Sequence, residues 1–172
     1  YRDKIIFTKD PVNNINYRQQ ARAYVLFNKM NVKELAKKIE IADLHRYVLD
    51  NGVSIEFSPP VPHGPDNTRL GNVIMTYIES DQLTLIHASD VQGPMSDKAL
   101  SFIITRDPEI LIISGPPTYF EGYRIEKELI DKAISNLLYI MSGTRRLHTI
   151  VLDHHLLRDL NFRQRLKKIY DY

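Results

Sequence analysis

The strongest constraint on the fold is a change of hydrophobic period partway along the chain. Early segments alternate like strands and are joined by tight-turn chemistry; later ones alternate between helical stripes and short apolar runs. Residues 46–49 and 53–57 flank Asp50-Asn51-Gly52, and Asn-Gly readily takes the positive φ angles of a tight hairpin turn. In Val53-Ser54-Ile55-Glu56-Phe57 the apolar residues fall on alternate positions, so one face is expected to be buried. Ser58-Pro59-Pro60 ends that strand, because proline has no amide to donate. A second strand pair is expected over 72–78 and 83–88.

After residue 95 the period becomes helical. Ser96 is placed to cap a helix over 97–105, and Ile110-Leu111-Ile112-Ile113 reads as a fully buried strand ended by Gly115-Pro116-Pro117. Ile125, Leu129, Ile130, Ala133, Ile134, Leu137, Leu138 and Met141 recur at helical spacing, with Gly143 as the expected terminator. Residues 149–152 form the last expected strand. Nearer the ends, Asn16 is an N-cap for a helix over 17–30, a short helix is expected over 32–39, and 157–170 suits a basic amphipathic helix. There is no internal repeat or composition break, so a single domain of mixed α/β type over 1–172 is expected.

Cysteine is absent, which excludes a disulfide framework and leaves any metal to nitrogen and oxygen ligands. The longest apolar runs, such as 110–113, fall far short of the roughly 20 residues of a membrane-spanning helix. A cytoplasmic protein with no membrane association is the expectation. The chain starts at Tyr1 and enters at once with Lys4-Ile5-Ile6-Phe7, which reads like the inside of a domain, and an upstream part is expected. The net charge of +2 hides a segregation: residues 1–38 hold nine Lys/Arg against three Asp/Glu, residues 39–155 nine against sixteen, and residues 156–172 five against two. Basic ends of this kind suit a phosphate-rich partner, although basic helical faces are more often simply solvated.

Residues of metal-ligand type recur just after expected strands: His63 follows 53–57, Asp90 follows 83–88, and His154-His155 follow 149–152. A strand fixes the backbone while the next loop is free to aim a side chain, so several such tips can converge on one ion. Imidazoles and a carboxylate without thiolate suit Zn²⁺ or another divalent ion such as Fe, Mn or Co. Asp90, with two oxygens, is the natural bridge if two ions bind, and such a pair would activate a water between them. Each residue also has a plain structural reading. A lone His near a turn is more often structural, Ser-Asp after a strand is commonly a cap or Asx-turn, and adjacent histidines usually point apart. His45, His87 and His148 are assigned to structure, with His87 facing either core or site. Gly115-Pro116-Pro117 is strong turn chemistry, and Tyr119 just beyond it could line a cleft.

At several of these segments the chain resembles an uncharacterised, mainly archaeal family of metallo-β-lactamase-fold proteins. The segments are Lys9-Asp10-Pro11, Ile15-Asn16, Arg22-Ala23, Phe57-Ser58-Pro59, His63-Gly64, Leu70-Gly71, Ala88-Ser89-Asp90-Val91-Gln92-Gly93-Pro94, Gly115-Pro116-Pro117-Thr118-Tyr119 and Leu152-Asp153-His154-His155-Leu156-Leu157-Arg158-Asp159. The resemblance implies a four-layer αββα sandwich, present here as its later part, with a metal site at one edge between two sheets. It also implies His63, Asp90 and the His154-His155 pair as ligands. Of the pair, His154 is favoured and His155 is a close second, the other one holding a ligand in orientation. The His-x-His-x-Asp-His signature that such a fold carries, with most of the ligands, occurs nowhere in the chain. A partial di-metal site is therefore expected, completed by an upstream segment of the same protein. Without it an apolar sheet face would lie open and favour a homodimer.

Two classes of function follow. One is a metal-dependent hydrolase of phosphoesters or similar bonds, with two ions in the intact protein. The other is a non-catalytic nucleic-acid-binding module, or a structural remnant, using the basic stretches 18–38 and 163–168. Only the first requires His63, Asp90 and the 154/155 pair to meet.

Overall fold

Asn51 and Gly52 make the expected turn. Gly52 sits at φ +81°, its amide donates to Leu49 O at 2.9 Å, and the Asn51 side chain accepts from the Val53 amide at 3.2 Å. The computed structural model describes residues 1–172. In chain order the elements are β1 (Ile5–Thr8), α1 (Tyr17–Tyr24), α2 (Val32–Leu35), β2 (Lys38–Ile41), β3 (Arg46–Val48), β4 (Ser54–Phe57), β5 (Val61–Pro62), β6 (Asn72–Val73), β7 (Thr76–Glu79) and β8 (Thr84–Ala88). Then come α3 (Asp97–Arg106), β9 (Ile110–Ser114), α4 (Lys127–Gly143), β10 (Thr149–Asp153), α5 (Phe162–Arg165) and α6 (Lys167–Tyr170). The fold is mixed α/β, built around a six-stranded sheet.

That sheet has the order β10-β9-β8-β7-β4-β3. The antiparallel half is the hairpin β3/β4 together with β7, which pairs with both β4 and β8. The parallel half is β8, β9 and β10, joined through α3 and α4 as helical crossovers. Because β7 lies between β4 and β8 and is antiparallel to each, β4 runs in the same direction as β8, β9 and β10. Two short pairs complete the strands: β1 with β2, parallel, and β5 with β6, antiparallel.

The core lies between this sheet and α3/α4. Ala99 and Ile103 from α3, Leu137 and Ile140 from α4, and Ile86, Ala88, Leu111 and Ile113 from the strands form one buried cluster. Ser96 caps α3, accepting from the Lys98 amide at 3.3 Å and donating to Asp66 at 2.6 Å. Ile110-Leu111-Ile112-Ile113 is only half as buried as its composition predicts, with Leu111 and Ile113 fully buried and Ile110 and Ile112 partly exposed. The reason is that helices cover one face alone. On the other face the register lines up Tyr47, Ile55, Ile78, Leu85 and Ile110. Phe7 of β1 packs over the β3/β4 end of that face, 4.5 Å from the Tyr47 ring and 5.4 Å from Phe57. Towards β10 nothing equivalent covers it, and Val151 is 45% exposed.

Several sequence expectations are corrected. The helix over 32–39 stops at Leu35, and 38–41 instead form β2, where Ile39 and Ile41 join the β1 ladder opposite Ile6 and Thr8. A long-range ladder has overridden local helical preference. The helix over 17–30 loses its α form at Tyr24 and continues as a π turn at Val25–Lys29. The basic helix over 157–170 is broken into a 3₁₀ turn, Leu156–Arg158, and the short α5 and α6. Asp159 accepts from the Asn161 amide at 2.9 Å, a local bond that competes with helix formation. Strand 72–78 is interrupted, its first residues pairing with β5 and its last with β4 and β8. Gly143 lies inside the last turn of α4, and Thr144 closes the helix by donating from Oγ1 to Ile140 O at 2.6 Å. No helix is long and apolar enough to cross a membrane.

Leu137 has no exposed surface and belongs to the buried cluster that α4 shares with the sheet. Leu137→Ala is expected to cost roughly 2–5 kcal/mol of stability through lost burial and a residual cavity. Urea unfolding of the two proteins measures it.

Candidate metal centre

The direction of the strands decides where the candidate ligands can go. β4, β8, β9 and β10 point the same way, so the segments after them all emerge at one edge of the sheet, the usual place for a site in sheets of this kind. After β4 the chain passes through β5 to His63, whose amide donates to Gly71 O at 2.9 Å and so extends the β5/β6 ladder by one residue. After β8 comes Asp90, after β9 the Gly115-Pro116-Pro117 turn, and after β10 His154 and His155.

The side chains meet at one atom. Asp90 Oδ1 lies 3.1 Å from His155 Nε2, 3.3 Å from His154 Nε2 and 3.6 Å from His63 Nε2. His63, Asp90 and His155 form a group whose ligand atoms all lie within 4.8 Å of one another. Both histidines of the pair reach Asp90, although adjacent histidines on a strand would diverge. They can do so because they stand on the turn after β10, where alternation no longer applies. His155 is the more enclosed, its side chain 11% exposed against 44% for His154. His45, His87 and His148 are exposed and take no part; His87 lies on the open face of the sheet.

The donor set fits a cation. His63 Nε2 is buried and has no hydrogen-bond partner, a costly arrangement unless something occupies its lone pair. His154 Nδ1 is 2.8 Å from Asp153 Oδ1; a carboxylate only accepts, so Nδ1 carries a proton, and the ring turns its Nε2 towards the Asp90 carboxylate. His154 Nε2, although 3.3 Å from Asp90 Oδ1, falls outside the group of His63, Asp90 and His155, so those three are the ones placed to hold one ion together. A carboxylate that holds a histidine by its other nitrogen is the usual support for a metal ligand.

Electrostatics act on two members of the set, Asp90 and His63. The His155 hydrogen bond, followed by the nearby imidazoles, lowers the Asp90 carboxyl to about 2 against the opposing effect of burial, so it is ionised. Burial pushes the His63 imidazole below its ordinary value and overcomes the attraction of Asp90; Arg22 adds in the same direction. His63 is thus neutral near pH 7, with a lone pair to give.

The loops are held by contacts that short-range sequence patterns could not reveal. Asp90 has φ +64°, a left-handed conformation uncommon outside glycine but better tolerated by Asp than by most residues. The turn is held at Gln92, whose amide donates to Ser114 Oγ at 2.9 Å. Gly64, at φ +98°, passes so close to the Gln92 side chain that an added Cβ would lie 2.5 Å from its Oε1. Gly115 likewise leaves room for Leu156. Thr118 Oγ1 donates to Asp159 Oδ2 at 2.6 Å, and Arg165 Nε lies 2.9 Å from the same oxygen, tying the loop after β9 to the loop after β10. Tyr119 stands beside His155: its hydroxyl lies 3.5 Å from His155 Nδ1 and accepts from Arg158 Nη1 at 3.2 Å. The regularity that could have exposed Thr118, Asp159 and Arg158 in the sequence is their place just beyond the same strand ends.

Asp159 is 8% exposed and serves Thr118, Asn161 and Arg165 together. Asp159→Ala is expected to lower stability by roughly 1–3 kcal/mol, the cost of leaving buried partners unsatisfied. It should also broaden the His155 side-chain resonances in NMR spectra, while Asp171→Ala, at an exposed helix end, should do neither.

No family model matches the chain. Among curated proteins it is 46% identical over 171 residues to a UPF0282 protein of Methanopyrus kandleri, covering 99% of this chain and 56% of that protein. A UPF0282 protein of Saccharolobus solfataricus is 40% identical over 171 residues, with 99% and 54% covered. One from Methanocaldococcus jannaschii is 39% identical over 166 residues, with 96% and 54% covered. The chain spans about half the length of the curated relatives it matches, and over nearly all of its own length it is homologous to UPF0282 proteins of archaea.

Proposed function

We propose that this chain is the later part of a metallo-β-lactamase-type domain and contributes His63, Asp90, His154 and His155 to the metal centre of a hydrolase acting on phosphoesters. The observation that carries the reading is the meeting of three imidazole Nε2 atoms on one carboxylate oxygen from three separate loops. A bound Zn²⁺, Fe or Mn ion would supply Lewis acidity there, lowering the pKa of water towards neutrality and polarising the bond to be cleaved. The chain's own residues provide the rest. Asp90 brings the negative charge that offsets the cation, Asp153 fixes the ring of His154, and the Tyr119 hydroxyl meets Nδ1 of His155. Without a metal His155 Nε2 donates to Asp90; a metal at Nε2 would require the proton to sit on Nδ1 instead, where the Tyr119 hydroxyl can accept it.

The αββα sandwich is part of the same proposal. Leu85, Ile110, Ile112 and Val151 on the uncovered sheet face are suited to a second sheet, and the curated relatives are nearly twice as long as this chain. We assign that face to the segment carrying His-x-His-x-Asp-His in the intact protein, which would bring a second ion. A homodimer through the same face is the arrangement expected of this chain alone.

Metal analysis tests the centre. The intact protein should hold close to two ions, or one tight and one weak, and His63→Ala and Asp90→Ala should each lower the content. Unchanged metal in both variants would refute the ligand assignment. Nucleic acid bound without any metal requirement, and weakening steeply with salt, would favour a binding module instead. For the sheet face, Val151→Glu should shift this chain from dimer to monomer in sedimentation; an unaltered dimer would place the contact elsewhere.

A further inference from the structure

Two arginines stand beside the candidate centre without acidic partners. Arg158 donates to the Tyr119 hydroxyl, which in turn lies 3.5 Å from His155 Nδ1, so its guanidinium is one side chain removed from the ligands. Its planar group also lies 6.0 Å from the Tyr119 ring centroid. Arg22 approaches from the opposite side of the sequence. α1 is fastened to the His63 loop by Asn16 Nδ2 donating to Arg69 O at 2.8 Å and Gln19 Nε2 donating to Asn72 O at 2.7 Å. Arg22 is one turn beyond Gln19 and shares its side of the helix. Neither arginine pairs with a carboxylate, which is equally true of Arg2, Arg18, Arg69, Arg124, Arg145 and Arg163; what sets these two apart is position, Arg158 reaching His155 through Tyr119 and Arg22 lying near enough for its charge to act on His63.

We infer that Arg158 and Arg22 form a phosphoryl-binding subsite at the rim of the His63/Asp90/His155 cluster, holding the non-reacting oxygens of a phosphate ester. The inference rests on the metal-centre reading for the reaction but not for the binding. A guanidinium presents planar, paired N–H donors that match two phosphate oxygens and stays charged at any working pH. Both side chains are exposed, so they reach a ligand without first breaking an ion pair. Arg158 carries a further consequence: when it turns to phosphate it leaves the Tyr119 hydroxyl, which then has only His155 Nδ1 beside it. Occupation of the subsite is thereby coupled to the orientation of a ligand.

The test is calorimetric titration of inorganic phosphate into the intact protein, zinc-loaded and after chelation, for the wild type, Arg158→Gln and Arg22→Gln, with zinc content measured alongside. Each substitution should weaken phosphate binding roughly tenfold or more, as expected for loss of a charge-assisted contact, with zinc content unchanged. Wild-type affinity in both variants, zinc retained, would overturn the subsite. If the wild type holds no zinc, the metal-centre reading fails, yet arginine-dependent phosphate binding still supports the subsite and arginine-independent or absent binding overturns it. Competition with phenyl phosphate and with a thymidine dinucleotide separates terminal from internal phosphates; displacement by either supports the subsite, and displacement by neither counts against it. A Lys98→Gln control, exposed on α3 and outside both basic stretches, should behave as wild type.

Discussion

Four strands running in one direction are the constraint on which the rest depends. β8, β9 and β10 follow one another along the chain, but β4 comes earlier, and β7 lies reversed between β4 and β8. Their common direction nevertheless delivers four following segments to one sheet edge. The crossovers through α3 and α4 maintain it, because parallel neighbours cannot be joined by tight turns and need a helix to bring the chain back. The buried cluster between those helices and Ile86, Leu111 and Ile113 therefore acts on the site at a distance. If it loosened, the strands would lose their fixed spacing, and the ligand atoms would lose theirs.

At the edge, precision comes from close backbone approach. Gly64 against Gln92, Gly93 against Pro116 and Ala133, and Gly115 against Leu156 are places where a side chain would not fit, and the first two also have positive φ. Asp90 accepts a left-handed backbone in the same turn. A conformation of this kind costs of order 1–3 kcal/mol and persists only where its surroundings enforce it. Here the enforcement is visible in the Gln92 amide bonded to Ser114 and in the packed glycines on either side. The arrangement holds a carboxylate against three imidazoles that would otherwise stay hydrated apart.

The sheet is unequal on its two faces. One is sealed by helices; the other has Phe7 over one end and half-exposed apolar residues over the remainder. Strands covered on one face only should alternate between apolar and polar residues, yet Ile110-Leu111-Ile112-Ile113 is apolar throughout. Such a run is the composition of a strand meant to be covered twice. It is consistent with relatives that extend well beyond the length of this chain.

Much of this was legible in the residues themselves. Asn51-Gly52 determined the β3/β4 turn through its tolerance of positive φ, the stripe from Leu129 to Met141 determined α4 through its period, and the lack of cysteine limited any metal to nitrogen and oxygen donors. These are local properties, carried by a few adjacent side chains. What sequence alone left open was decided by contacts between distant segments. Residues 38–41 became a strand because β1 offered a ladder, and the 157–170 stretch broke because Asp159 was drawn to Thr118 and Arg165. Both rings of the His154-His155 pair turn towards Asp90, but His155 alone of the two joins His63 and Asp90 within 4.8 Å, because their directions depend on a turn packed against the loop after β9. Convergence on one oxygen is a property of three loops at once, and only the tertiary structure brings them within reach of each other.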